Sequence, residues 1–247
     1  MPTYRLDIAY DGSPFAGWAA QPGLRTIQGE IESGLEQVGM PAALTVAGRT
    51  DTGVHAWGQV ASLELPEPPA TDLRRALDAV TPHEIAVYAA SEAPAGFNAR
   101  RDARSRTYCY RLLPQRVASP FEAGRALWWP YALDRDALDA CAAELLGTHD
   151  FTAFTPTQTE HVRFERAILR CEWTEGVGIG PDPILELWIE ADAFMRNMVR
   201  AIMGTMLEVA AARRSAESLT RLLEGAPRSE GGETAAPHGL YLASVRY

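Results

Sequence analysis

The feature that most constrains this chain is an order. Runs with apolar residues at every second position alternate with runs where they recur every three or four, in the sequence β-α-β-β-α-β, and the order comes twice. Tyr4, Leu6, Ile8 and Tyr10 alternate with Arg5, Asp7 and Ala9, and Asp11-Gly12 ends the run with turn chemistry. Thr26 is a helix N-cap residue, followed by Ile27, Ile31, Leu35 and Val38 on one face before Gly39. Strands are predicted near 43–47 and 59–65, then a helix from Thr71 with Leu73, Ala76, Leu77 and Val80 inward, then a strand near 85–90. This is the order of a ferredoxin-like unit, in which two helices cover one face of an antiparallel sheet and the other face stays free.

The second half repeats the order with additions. It reads as a strand at 105–113, an extra strand near 125–131, a helix at 134–146 and strands near 166–174 and 183–191. A long helix is predicted from about Ala193 to Ala212, with Phe194, Met198, Ile202, Met206 and Val209 on one face, and then a last strand from Leu240 to Val245. Pro94-Ala95-Gly96 interrupts the pattern and marks a seam between domains at 1–96 and 97–247. The expected fold is therefore α+β, with two ferredoxin-like halves whose antiparallel sheets lie side by side. Their free faces would line a central cleft wide enough for a nucleic-acid helix.

Among 247 residues, 47% are hydrophobic, enough for a substantial core, and no apolar run is long enough to cross a membrane. The first residues lack the basic and apolar pattern of a targeting segment, so a soluble cytoplasmic protein is expected. Cys109, Cys141 and Cys171 are odd in number and far apart, which points to reduced, buried thiols. With no Cys-x-x-Cys pair and scattered histidines, a zinc site is not expected.

A net charge of −9 argues against a generic nucleic-acid binder. Its distribution qualifies that. Arg100, Arg101, Arg104, Arg106, Arg111 and Arg116 stand against Asp102 alone between 100 and 116, a local excess of five positive charges. All 23 basic residues are arginine; arginine binds phosphate through a planar fork and stacks on bases, although codon bias explains the absence of lysine as well.

One stretch concentrates the chemistry. Gly48-Arg49-Thr50-Asp51-Thr52-Gly53-Val54-His55 sets a carboxylate among glycines, with an arginine two positions before it. A guanidinium beside Asp51 would keep it ionised and able to act as a nucleophile. The plain alternative is a turn in which the Asp51 side chain bonds a nearby amide. An aspartic-protease dyad fits poorly, because one such turn occurs and the second half is rich in helix. On strand 105–113, Tyr108 and Tyr110 share one face, as ligand-facing rings or as core with satisfied hydroxyls. Arg196 and Arg200, four apart, would share a side of the long helix, and Arg200 is a candidate to pin Asp51.

These residues resemble the tRNA pseudouridine synthases of the TruA type over nearly the whole chain. The likeness is carried by Tyr10-Asp11-Gly12, Gly17-Trp18, Thr26-Ile27-Gln28-Gly29, Gly48 to Ala56, Gln59-Val60 and Phe97-Asn98-Ala99-Arg100. Gly147 to Phe151, Phe154, Phe194 to Arg200, Gly204-Thr205 and Ala236 to Leu242 follow in the same order. Thr52 stands where alanine is usual, and glutamine does not directly follow Trp18.

The resemblance implies a homodimer of two-domain chains that isomerises uridine to pseudouridine at positions 38, 39 and 40 of the tRNA anticodon stem-loop, without metal or cofactor. It implies Asp51 as nucleophile, Arg49 as the residue that helps displace the target base, Tyr108 as the ring stacked on that base, and Arg200 as the cation paired with the carboxylate. Phe97, Asn98, Ala99, Arg100, Arg101 and Arg116 fall at tRNA-contacting positions. Tyr108 is also a candidate for the group that removes the C5 proton. The rival reading from another class is a non-catalytic RNA-binding protein of the same architecture.

Overall fold

The computed structural model describes residues 1–159, 161–179 and 183–247. Contacts divide it into two units, Met1–Arg104 with Tyr241–Tyr247, and Ser105–Leu240. The division falls after Arg104 and not at the Pro94–Gly96 seam, because Ala99 is fully buried in the first unit, against Ala47 and Val60.

In the first unit, β1 (Thr3–Tyr10) buries Tyr4, Leu6, Ile8 and Tyr10 as the alternation dictates. Helix α1 (Ile27–Gln37) starts where Thr26 Oγ1 accepts the Gly29 amide at 3.2 Å, and buries Ile27, Ile31 and Leu35. Strand β2 is only Thr45–Val46, and β3 (His55–Glu64) begins earlier than the periodicity suggests. Helix α2 (Leu73–Asp78) is capped by Asp72, whose carboxylate accepts the Arg75 amide, so it starts after Thr71. Strand β4 (Ile85–Ala93) completes the set. The strands run β4-β1-β3, all antiparallel. The outer edge of β3 takes two short partners: β2 opposite Ala61 and Ser62, and the last strand opposite His55 and Ala56.

The sheet face opposite Tyr4, Leu6 and Ile8, which the element order predicts to be free, is partly covered. Val60 packs there with Ala47 and Ala99, and Phe97, Val245 and Tyr247 close over them. The Tyr247 hydroxyl donates to the Ala99 carbonyl at 2.8 Å and the Ala99 amide donates to Ser62 Oγ at 3.1 Å, which ties down the segment after β4.

The second unit contains β5 (Ser105–Leu113), β6 (Leu127–Trp128), α3 (Arg135–Glu144), β7 (Gly147–Asp150), β8 (Glu165–Val177), β9 (Pro183–Ala191), α4 (Met198–Ala210) and α5 (Glu217–Leu223). Strands run β5-β9-β8-β7, antiparallel, with β6 parallel beside β5. Register puts Tyr108 and Tyr110 on one face with Leu187 and Ile189, and Arg111 on the other with Glu186. That second face also carries Arg170, Glu172 and Glu190, so it is charged and mixed in sign.

Helix α4 is shorter than its periodicity implied. It starts at Met198 because Asn197 is left-handed, φ 61°, and Asp192 Oδ1 holds the Ala193 amide at 2.7 Å in a turn. Phe194 and Met195 keep helical spacing, but pack from a loop. Arg196 is therefore an exposed loop residue and does not share a helical face with Arg200. Strand β10 (Leu240–Arg246) then runs parallel to β3 in the first unit. The three cysteines are free and buried, and burial raises the thiol of Cys171 to about 12 and that of Cys141 to about 11. Among the described residues no helix is long and apolar enough to cross a membrane.

Candidate active site

The stretch from Gly48 to His55 links β2 to β3 and is braced from three sides. Thr50 turns inward, its Oγ1 2.7 Å from the Tyr10 hydroxyl. Gln59 donates through Nε2 both to that hydroxyl, at 3.2 Å, and to the Gly48 carbonyl, at 2.7 Å. The Trp18 amide donates to the Thr50 carbonyl at 3.0 Å, and Gly17, φ +94°, sits so close that a Cβ there would lie 2.9 Å from the same oxygen. Burial raises the Tyr10 phenol to about 12, with its bonds to Thr50 and Gln59 opposing, so it remains a neutral hydroxyl.

Asp51 opens a tight turn in which its main-chain carbonyl accepts the Val54 amide at 3.1 Å. The backbone closes this turn, and the Asp51 side chain is half-buried. Arg49 corrects one expectation. It is exposed and forms no ion pair with Asp51, because the Tyr10 anchor turns Thr50 into the protein and its neighbour outward. His55 is buried; its Nδ1 accepts the Gly12 amide at 3.1 Å and lies 3.2 Å from Asp11 Oδ1. Its ring stacks on Tyr241, which stacks in turn on Trp57, so this histidine supports the start of β3.

Tyr108 and Arg200 belong to the second unit. Tyr108 is buried on β5 and meets Phe194 edge to face at 5.1 Å, so the loop before α4 fixes its ring. Tyr110 is core: its hydroxyl donates to the Ala236 carbonyl at 2.7 Å, and burial pushes its phenol far up. Arg200, in the first turn of α4, does not snorkel to solvent. Its Nε donates to the Ala235 carbonyl at 2.7 Å and its Nη1 to Asn197 Oδ1 at 3.1 Å. The segment that supplies Ala235 can cross α4 because residue 204 is glycine, where a Cβ would lie 1.8 Å from the Glu233 carbonyl. Burial, aided by the Arg200 charge, lowers His238 and keeps it neutral near pH 7.

The arginine-rich stretch divides by environment. Asn98 Oδ1 accepts the amides of Arg100 and Arg101, and Asp102 accepts the Asn98 amide, so the chain folds back on itself and leaves Arg100 and Arg101 exposed. The Asn98 amide, with Arg101 Nε, lowers the Asp102 carboxyl. Phe97 is half-buried against Tyr247 and Ala99 is interior, so both position the loop. Arg111 is buried with Glu122 at 3.0 Å and Glu186 at 3.4 Å, and Arg106 donates to the Asp192 carbonyl. The exposed charge between 100 and 116 is thus smaller than the sequence count, with Arg100, Arg101, Arg104 and Arg116 at the surface.

Comparison with known proteins bears on the whole chain. A relative in Frankia casuarinae (strain DSM 45818 / CECT 9043 / HFP020203 / CcI3), named tRNA pseudouridine synthase A, is 42% identical over 247 residues, 98% of this chain and 88% of its own. The chain belongs to the tRNA pseudouridine synthase family. The family pattern itself matches residues 141–247. Relatives of the same name in Streptomyces griseus and Halalkalibacterium halodurans are 41% and 40% identical, over 98% and 95% of this chain and 87% and 89% of theirs.

Several supports of the candidate site are not visible in the sequence. Tyr10 and Gln59 lie in motifs that carry the resemblance, yet nothing in their spacing revealed that both meet at Thr50. The carbonyls of Ala235 and Ala236 hold Arg200 and Tyr110 through main-chain atoms, which side-chain chemistry does not disclose. Asn197 had one available signal: asparagine tolerates the left-handed conformation that stops a helix from starting earlier.

Proposed function

We propose that this protein isomerises uridine to pseudouridine at positions 38, 39 and 40 in the anticodon stem-loop of tRNA, with Asp51 as the nucleophile. The reaction breaks the bond from C1′ to N1, turns the base and joins C1′ to C5. A proton leaves C5 and N1 gains one, so nothing is consumed. The observation that carries the reading is the Asp51 turn: its main-chain carbonyl closes it on the Val54 amide, and Tyr10, Thr50 and Gln59 brace the residue before it from behind.

The other roles follow from this. Arg49, exposed and without an ion pair among the described residues, suits a cation that enters the stack and displaces the target base, which costs a few kcal/mol. Tyr108, its ring fixed by Phe194, is assigned to stack on the extruded uracil and to take the C5 proton. Arg200 is assigned to pair with the Asp51 carboxylate. Phe97, Asn98, Ala99, Arg100, Arg101 and Arg116 are assigned to tRNA contact, with Arg100, Arg101 and Arg116 meeting phosphates and the others shaping the loop. Two ferredoxin-like halves per chain, a cytoplasmic homodimer and independence of metal and cofactor complete the proposal.

The decisive experiment compares Asp51→Ala with the parent on tRNA carrying tritium at C5 of uridine. Unchanged tRNA affinity with tritium release abolished is the expected result, and nucleoside chromatography should show no pseudouridine. Equal release by variant and parent would refute Asp51 as the nucleophile, and a parent that binds tRNA but releases no tritium would leave the non-catalytic RNA-binding reading in its place.

A further inference from the structure

Residues 113–131 follow β5 and contain two arginines, Arg116 and Arg125, and a single acidic residue, Glu122. Both arginines are exposed, whereas the Glu122 side chain is 0% exposed and bound to Arg111. In a chain of net charge −9 this segment therefore shows solvent positive charge only. It also exposes three large rings: Phe121 at 61%, Trp128 at 44% and Tyr131 at 57%.

The segment is held firmly. Glu122 Oε2 takes Arg111 Nη1, and its Oε1 accepts the Ile179 amide at 2.6 Å. Leu113, Ala126 and Ile184 form a small buried cluster beneath it. The Trp128 indole N–H donates to the Gln115 carbonyl at 2.9 Å, which fixes the ring beside the residue that precedes Arg116. An indole with its one polar atom satisfied and its face in water is a preset apolar plane.

We propose that Trp128 and Arg116 form a platform for one unpaired nucleotide of the bound RNA, its base stacked on the indole and its phosphate held by the guanidinium. Aromatic faces bind bases without regard to sequence, and arginine supplies the phosphate contact. Only an unpaired nucleotide can present its face in this way. A second copy of this chain fits less well, since a two-fold contact of this segment with itself would bring the exposed Arg116 and Arg125 side chains of the two copies together. The inference rests on the reading of the protein as a tRNA enzyme and adds a contact to it.

The test measures the Kd of a fluorescein-labelled tRNA transcript over a salt series for the full-length protein, Trp128→Leu, Trp128→Phe and Arg116→Ala. Leucine keeps an apolar side chain on the strand but has no ring. Trp128→Leu should raise Kd about five- to fiftyfold at every salt concentration with the slope unchanged, and Trp128→Phe should stay within about threefold of the parent. Arg116→Ala should instead reduce the slope of log K against log salt by about 0.7–0.9. Parental affinity in Trp128→Leu would overturn the platform alone, as would a lowered oligomer mass in that variant, which would make the patch an interface between copies. Failure of the parent to bind the transcript would refute both the platform and the proposed function.

Discussion

Tyr10→Phe isolates the brace behind Asp51, because it removes one oxygen and keeps the ring. That oxygen serves Thr50 Oγ1 at 2.7 Å and Gln59 Nε2 at 3.2 Å, all within buried surroundings. Its loss leaves the Thr50 hydroxyl and one N–H of Gln59 without partners, and each such group costs about 1–3 kcal/mol. The two groups together cost about 2–6 kcal/mol, which for a chain this long lowers the melting point by at least about 4–8 °C. With the loop loosened, tritium release should fall about 10- to 100-fold while tRNA affinity stays near the parent value. In Tyr10→Phe/Thr50→Val only the Gln59 N–H remains orphaned. The double variant should therefore lose about 1–2 kcal/mol less than the sum of the single losses. Parental melting and turnover in Tyr10→Phe, or strict additivity in the double, would refute this account of the loop.

Alkaline pH tests the same residue: the unfolded phenol ionises near 10 and the buried one near 12, so its contribution is intact below pH 10 and lost as pH rises toward 12. Chemical denaturation between pH 9 and 12 should show a shallower decline in Tyr10→Phe. Arg111→Met strands Glu122 and should cost about 3–5 kcal/mol by urea denaturation, with Arg111→Met/Glu122→Leu recovering much of it. Arg100→Ala/Arg101→Ala should weaken tRNA binding and reduce the salt slope by about 1.4–1.8, measured by filter binding across salt concentrations.

The periodicities located β1, α1, β5 and β9 within a few residues, because in each a buried face imposes its own spacing on the sequence. They overextended α4, since Met195 is buried and Phe194 half-buried from a loop, and spacing alone does not separate loop burial from helix burial. β7 and α5 went unforeseen: β7 is short and α5 is a two-turn helix. At the candidate site, Asp51 stood out through its glycines, but the pairing with Arg49 did not follow from their separation. Which way a side chain turns was decided by Tyr10, distant in sequence. The surface charge was overcounted for a related reason, as the carboxylates that neutralise Arg111 come from a loop and from β9.

The parallel pairing of β10 with β3 has a consequence for biogenesis. Tyr241 lies flat on His55 at the start of the strand that leaves the Asp51 loop, and Tyr247 covers Ala99. A ribosome delivers those rings long after the rest of the first unit has emerged, so that unit waits half-finished, with one strand margin open to solvent. Contacts so distant along the polymer slow the search for the native state. They also make completion arrive late: a nascent molecule lacking this strand would carry the Asp51 turn on an unfinished scaffold.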